Sequence, residues 1–157
     1  KSYFNTHNIS SIGLRFFTVY GPWGRPDMAP MLFTKAAYDN EPIKVYNYGN
    51  QSRDFTYIDD IVDGIFSIIG MAEFPKFAEV CNIGNGSPVG LMNFIEQIEA
   101  NTSSILKKDF VDAQKGDVAQ TYADTTKLFR LTGYKPKTSL EMGIEKFINW
   151  YKIYNKL

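Results

Sequence analysis

Residues 13–30, GLRFFTVYGPWGRPDMAP, decide how this chain folds. The run opens as a buried strand, because Leu14, Phe16, Phe17 and Val19 form a short apolar, aromatic-rich stretch directly after the small breaker Gly13. It closes as a rigid loop. Gly21-Pro22, Gly24 and Arg25-Pro26 stop the strand abruptly, since proline withholds a backbone donor and fixes φ while glycine admits conformations closed to other residues. A strand whose C-terminal end opens into a long loop carrying Thr18, Tyr20, Arg25 and Asp27 is where open α/β sheets place their ligands. The rest of the chain has to supply the walls of that site.

Working outward, Asn8 and Ser10-Ser11 turn the chain into this strand from a short N-terminal stretch. Residues 30–40 predict a helix, with Pro30 at its start and Met31, Leu32, Ala36 and Tyr38 at helical spacing. Residues 43–48 predict a strand, 49–52 a turn, and 53–58 another short strand. Asp59-Asp60 stands where the next helix begins, with Ile61, Ile65, Ile68 and Ile69 as one apolar stripe. That acidic pair reads first as carboxylates meeting the orphan amides and positive dipole end of a helix N-terminus. Residues 80–84 predict a buried strand, 91–101 a helix with Leu91, Phe94, Ile95 and Ile98 inward, and 107–111 an edge strand. A helix starts at Asp124-Thr125-Thr126 and stops at Gly133-Tyr134-Lys135-Pro136. The last helix, 139–155, has half a capping box at Ser139 and an inward stripe of Ile144, Phe147, Ile148 and Tyr151.

Composition narrows the possibilities. The 157 residues are 44% hydrophobic and 15% aromatic, enough for a core. Seventeen basic residues balance 17 acidic ones, so no net field argues for nucleic acid or an anionic membrane as a partner. One cysteine, Cys81, excludes an intrachain disulfide and reads as a small core residue. A single histidine without ligand spacing gives no reason to expect a metal. No apolar run reaches the length of a membrane span and the start does not resemble a signal peptide, so a reduced, cytoplasmic compartment is the default expectation. The chain begins without Met and in mid-pattern, as a piece of a longer protein would.

The 15–30 run RFFTVYGPWGRPDMAP, followed by VYNYGNQSRDFTYIDDIVDGI at 45–65, resembles the C-terminal half of a nucleotide-sugar epimerase of the extended short-chain dehydrogenase/reductase family, closest to UDP-glucuronate 4-epimerases. The resemblance runs in unbroken order over nearly the whole chain. It implies an α/β fold: the C-terminal part of an extended Rossmann-type fold, with edge strands of the parallel sheet, a small α/β substrate-binding lobe and about five helices. Residues 1–157 would be the nucleotide-sugar-binding portion. The N-terminal NAD-binding portion would be absent. The chain has neither a Gly-rich dinucleotide fingerprint nor a Tyr-x-x-x-Lys pair. The resemblance implies that the family's catalytic Tyr and Lys would lie just upstream of Lys1, with no catalytic residue expected in this chain. The implied reaction is oxidation of UDP-glucuronate at C4 by tightly bound NAD, rotation of the 4-keto intermediate, and hydride return on the other face. The implied parent is a homodimer.

A sugar nucleotide offers a diphosphate, a ribose with vicinal hydroxyls and a flat base. A protein that holds it needs a cationic fork, a carboxylate for the ribose and an apolar slot. Arg53 can supply the first, since guanidinium geometry suits bidentate phosphate contact, and Asp117 the second. Val45 and Tyr46 can line the third. The resemblance assigns Arg53 and the Gln114 to Asp117 loop to the ribose–diphosphate, Lys44 to Tyr46 to the uracil, and Asp27 and Met28 to the phosphate and base. Many relatives carry Arg where Gln114 stands, which removes one phosphate contact. Thr18 and Arg25 could meet a substrate carboxylate at C5; galactose epimerases have Asn at the position of Thr18. Phe17 and Tyr20 would sit near the nicotinamide. Each has a plainer reading: Arg53 as a surface ion pair with Asp54, Asp117 as a turn residue, Tyr46, Phe17 and Tyr20 as core, Arg25 as a brace for its loop. The same nucleotide contacts would serve a UDP-N-acetylglucosamine 4-epimerase or a sugar 4,6-dehydratase. From another class, the chain could be a non-catalytic UDP-sugar-binding module.

Overall fold

The computed structural model describes residues 1–71 and 78–157. In chain order the elements are α1 (Ser2–His7), β1 (Ser11–Phe16), β2 (Thr18–Tyr20), α2 (Ala29–Asp39), β3 (Ile43–Tyr46), a 3-10 turn (Asn47–Gly49), β4 (Ser52–Arg53), β5 (Phe55–Tyr57), α3 (Ile58–Ile69), β6 (Ala78–Ile83), β7 (Val89–Gly90), α4 (Leu91–Thr102), β8 (Lys108–Val111), α5 (Thr126–Thr132) and α6 (Leu140–Asn155). Strand pairs β1–β6, β2–β5 and β3–β8 are parallel, and β4–β7 is antiparallel. Helices return the chain between the parallel strands, which makes this an α/β fold. Among the described residues no helix is long and apolar enough to cross a membrane.

The opening stretch is two strands rather than one. At Phe17 the chain leaves β6, whose Ile83 faces Phe16, and takes β5, whose Phe55 faces Thr18. The expectation that this whole run is buried is corrected as well: Phe16 is 54% exposed.

Two apolar clusters result. The larger gathers Tyr20, Phe33, Val45, Phe55, Phe94, Ile95, Ile98, Ile144, Phe147 and Ile148 from β2, α2, β3, β5, α4 and α6. The smaller gathers Ile61, Ile68, Cys81, Ile83 and Leu128 where α3 and α5 cover β1–β6. The stripes expected on α4 and α6 face inward as their period requires. On α3, Ile69 is 67% exposed, because eight residues on from Ile61 it stands about 80° around the helix. On α2 the buried residues are Pro30, Phe33, Thr34, Ala36 and Ala37, while Leu32 turns outward.

Caps follow the local chemistry. Ser139 accepts the Met142 N–H at 3.3 Å, and Pro30 occupies the first turn of α2. The acidic pair at α3 behaves differently from the expectation of a simple cap. Asp60 is buried, and its carboxylate accepts the N–H groups of Lys137 (3.1 Å) and Thr138 (3.0 Å), holding the approach to α6. Tyr57 is the residue that precedes α3, and no side chain caps that end.

Candidate functional site

Two cavities open beside the loop that follows β2. The larger, about 690 Å³, is lined by Asp27, Leu32 and Phe33 from the loop and α2, by Lys44 and Tyr46 from β3, and by Gln51 and Gln114. Strand β3 contributes Ile43 as well: along it Lys44 is exposed and Tyr46 half-buried, while Ile43 and Val45 are buried, in the alternation a strand imposes. Val45, expected to line the slot, is fully buried and is not among the residues lining this cavity. Leu32, turned outward on α2, is an apolar wall that the sequence pattern had assigned to the core.

The smaller cavity, about 420 Å³, is lined by Phe16, Phe17, Tyr20, Trp23, Arg25 and Met28 among others. Tyr20 contributes little to it. Its ring is buried, edge-on to Phe55, Tyr57 and Phe94, and its hydroxyl points at the Leu140 carbonyl at 3.5 Å. Burial pushes this phenol above its ordinary pKa, with smaller contributions from Tyr57, Asp60 and Glu141. Tyr20, expected near the cofactor, thus packs its ring in the core at the edge of this cavity. Phe16, which the pattern reading buried, is an exposed aromatic of this cavity, as is Trp23.

An ion pair links a residue of one cavity to a residue of the other. Arg25, on the smaller, donates through Nε (3.2 Å) and Nη2 (3.0 Å) to the two carboxylate oxygens of Asp27, on the larger. Arg25 Nη2 also reaches the Met28 sulfur at 3.3 Å. Both charged side chains are largely exposed, so this fork exchanges readily with a competing anion.

Arg53 lines neither cavity and stands next to the larger. Its Nη2 donates to Gln51 Oε1 at 3.0 Å and to Asp117 Oδ1 at 2.6 Å, and its Nη1 to the carbonyls of Ser52 (2.9 Å) and Ala119 (3.4 Å). With 17% of its side chain exposed and Asp117 as its partner, it is not the surface ion pair with Asp54 that adjacency suggested. Asp117 does occupy a turn, its N–H donating to the Gln114 carbonyl at 3.1 Å with Gly116 at φ +86°. That turn places Gln114 on the cavity and Asp117 on Arg53. Tyr48 steadies the approach to the loop, its hydroxyl donating to Asp112 Oδ1 at 3.0 Å, a bond that also raises the pKa of this phenol. Thr18 is half-buried in β2 and lines neither cavity; its N–H donates to the Asp54 carbonyl at 3.1 Å.

The structure thus brings Asp27, Lys44, Tyr46 and Gln114 to one cavity, Phe17, Arg25 and Met28 to its neighbour, and the Arg53–Asp117 pair beside them through Gln51. Apolar walls, hydrogen-bonding side chains and two guanidinium groups in and beside these two cavities suit a ligand with a ring, hydroxyls and several negative charges.

Residues 1–84 match the family model described as NAD dependent epimerase/dehydratase family. The chain belongs to this family. It is 45% identical to Protein CapI of Staphylococcus aureus, over 99% of this chain and 51% of that protein. It is 39% identical to a probable UDP-glucuronate 4-epimerase of Rhizobium meliloti, over 96% of this chain and 49% of that one. Its fold superposes on the UDP-glucuronic acid 4-epimerase of Bacillus cereus, solved with UDP-glucuronic acid and NAD. The TM-score is 0.90 at 33% identity, over 98% of this chain and 48% of that chain. The chain spans about half the length of the curated relatives it matches. The Rossmann-type fold expected from the resemblance agrees with that superposition.

Proposed function

We propose that this chain is the nucleotide-sugar-binding half of an NAD-dependent 4-epimerase that interconverts UDP-glucuronate and UDP-galacturonate. The reading rests on one observation: the Arg25–Asp27 ion pair joins a residue lining the smaller cavity to one lining the larger, which the Gln51–Arg53–Asp117 chain adjoins. In this reading the uracil and ribose lie in the larger cavity, against Leu32, Phe33, Lys44, Tyr46 and Gln114. Arg53 meets the diphosphate, and Asp117 turns from Arg53 to a ribose hydroxyl when the phosphates take its place. The sugar lies in the smaller cavity, where its C5 carboxylate takes the Arg25 fork from Asp27, with Thr18 in the adjoining strand β2, whose Val19 and Tyr20 line that cavity.

Phe16 and Phe17, aromatic and partly open at the smaller cavity, fit a nicotinamide ring. The glycine-rich turn that would cradle the cofactor's diphosphate is not in this sequence, so the chain would provide one wall of that site. When bound, NAD supplies the acceptor and donor of the C4 hydride. The base that moves the C4 hydroxyl proton would come from outside these residues, and the chain by itself would catalyse nothing. A homodimeric parent and a cytoplasmic location belong to the same proposal.

The test is to incubate the full-length protein containing this chain with UDP-glucuronate and to separate the products by anion exchange. UDP-galacturonate is the expected product. Turnover of a different nucleotide sugar, with UDP-glucuronate untouched, would refute the substrate assignment.

A further inference from the structure

Asp54 takes no part in either cavity, yet every polar atom it owns is engaged. It lies between β4 and β5, fully buried. Its Oδ1 accepts the Asn85 N–H at 2.8 Å and the Thr56 hydroxyl at 3.4 Å, and its Oδ2 accepts the N–H groups of Gly86 (3.0 Å) and Ala123 (2.9 Å). Its own N–H donates to Thr121 Oγ1 at 3.0 Å, and its carbonyl accepts the Thr18 N–H at 3.1 Å. Four donors and, among the described residues, no hydrogen-bonded acceptor face the side chain, a setting that suits an acceptor-only carboxylate.

These partners are not arbitrary. Thr18 is the residue assigned to the sugar end of the site. The segment 117–123 carries Asp117, the partner of Arg53, and is stitched along β4 by Ser52 N–H to the Ala119 carbonyl (3.0 Å) and Thr121 N–H to the Ser52 carbonyl (3.2 Å). The Asp54 carboxylate closes that stitch at Ala123. There is no slack around it: a Cβ on Gly84 would meet Ala123 Cβ at 2.6 Å and Asp54 Oδ1 at 3.1 Å. Asp54 therefore joins these segments by two routes: its backbone carbonyl holds the strand end bearing Thr18, and its carboxylate holds the turn at Asn85 and Gly86 and, at Ala123, the segment bearing Asp117, the partner of the neighbouring Arg53.

We propose that Asp54 is a positioning residue that sets the spacing between the diphosphate end and the sugar end of the nucleotide-sugar site. The proposal rests on the functional reading above for the ligand and on the hydrogen bonds alone for the clamp. Asp54→Asn keeps the shape and replaces one acceptor by an amide donor aimed at backbone N–H groups, so the clamp opens without a cavity.

The experiment is a double-mutant cycle on the full-length protein, reading UDP affinity by calorimetry and amide exchange by mass spectrometry. Asp54→Asn is expected to weaken UDP about tenfold and to speed exchange at Asn85, Gly86 and Ala123. In an Arg53→Ala background it should cost less than about twofold more, because Asp54 acts through Arg53. Fully additive losses would overturn the positioning role, since they would mean a general loosening. Exchange at those three amides unchanged by the substitution would overturn the clamp itself. Should Asp54→Asn fail to fold, Thr121→Val, which removes only the acceptor for the Asp54 N–H, is read through the same cycle, with an expected loss of about threefold and the same lack of additivity. If the unmutated protein binds no UDP, the nucleotide reading fails, and the exchange data still decide the clamp.

Discussion

Gly143→Ala should destabilise this protein, although glycine to alanine inside a helix ordinarily does the opposite. In an exposed helix interior the change gains about 1 kcal/mol. Here a Cβ at position 143 would lie 2.0 Å from the Tyr20 Oη, 2.8 Å from Cζ and 3.2 Å from Cε2. Tyr20 has nowhere to go, because Phe55, Tyr57 and Phe94 hold its ring edge-on with centroids 6.3, 5.7 and 5.8 Å away. Either α6 moves off β2 or the aromatic cluster repacks, and overpacking of this kind costs about 1–3 kcal/mol, at the top of that range for a rigid neighbour. The balance is a net loss of about 1–2 kcal/mol, a fall in Tm of roughly 3–6 °C for a chain of this length. Differential scanning calorimetry of Gly143→Ala, Tyr20→Phe and the double variant measures it. Tyr20→Phe removes the closest contact and only a long 3.5 Å hydrogen bond, so the double variant should recover about half the penalty. A rise in Tm for Gly143→Ala, or a penalty untouched by Tyr20→Phe, would refute the packing argument. The consequence reaches the site, because the loop bearing Arg25 departs from Tyr20.

Three further outcomes follow from the same contacts. Asp60→Ala leaves the N–H groups of Lys137 and Thr138 without their acceptor, at about 2–4 kcal/mol, and chemical denaturation should show the midpoint falling with an unchanged slope. Glu79 is held below the ordinary carboxylate range by its hydrogen bond from Lys127, Asp124 by its bond with Thr126, and Glu141 by its backbone hydrogen bond and Ser139. Carboxylates with depressed pKa stabilise the fold above the ordinary range and lose that contribution as pH falls through their folded values. Tm should therefore hold steady from these groups between pH 8 and 6 and decline below about pH 4, with Glu79→Gln flattening part of the decline. Arg25→Ala in the full-length protein should raise KM for UDP-glucuronate about threefold to tenfold and leave UDP affinity unchanged, since this exposed fork faces the sugar end; steady-state kinetics beside calorimetry separates the two.

Local chemistry was legible from the amino acids alone. The inward stripes Phe94, Ile95, Ile98 and Ile144, Phe147, Ile148, Tyr151 follow from a period of 3.6, and the Ser139 cap and Pro30 start follow from donors that lack partners at a helix end. The loop after β2, with its glycines and prolines, was readable as the place where a site would open. Alternation along β3 was equally available in the letters and would have turned Val45 inward, had the strand's faces been known. What only the tertiary structure decided is which partner each group finds. Phe17 marks an exchange between β6 and β5, Tyr20 goes to an aromatic core built from residues over 30 positions away, and Asp54 and Asp60 take amides 31 to 78 residues distant. Periodicity reports the face of an element, because it is set by neighbours within a turn or two. Hydrogen-bond partners and strand neighbours are set by chain closure across the whole fold, and no short stretch of sequence carries that information.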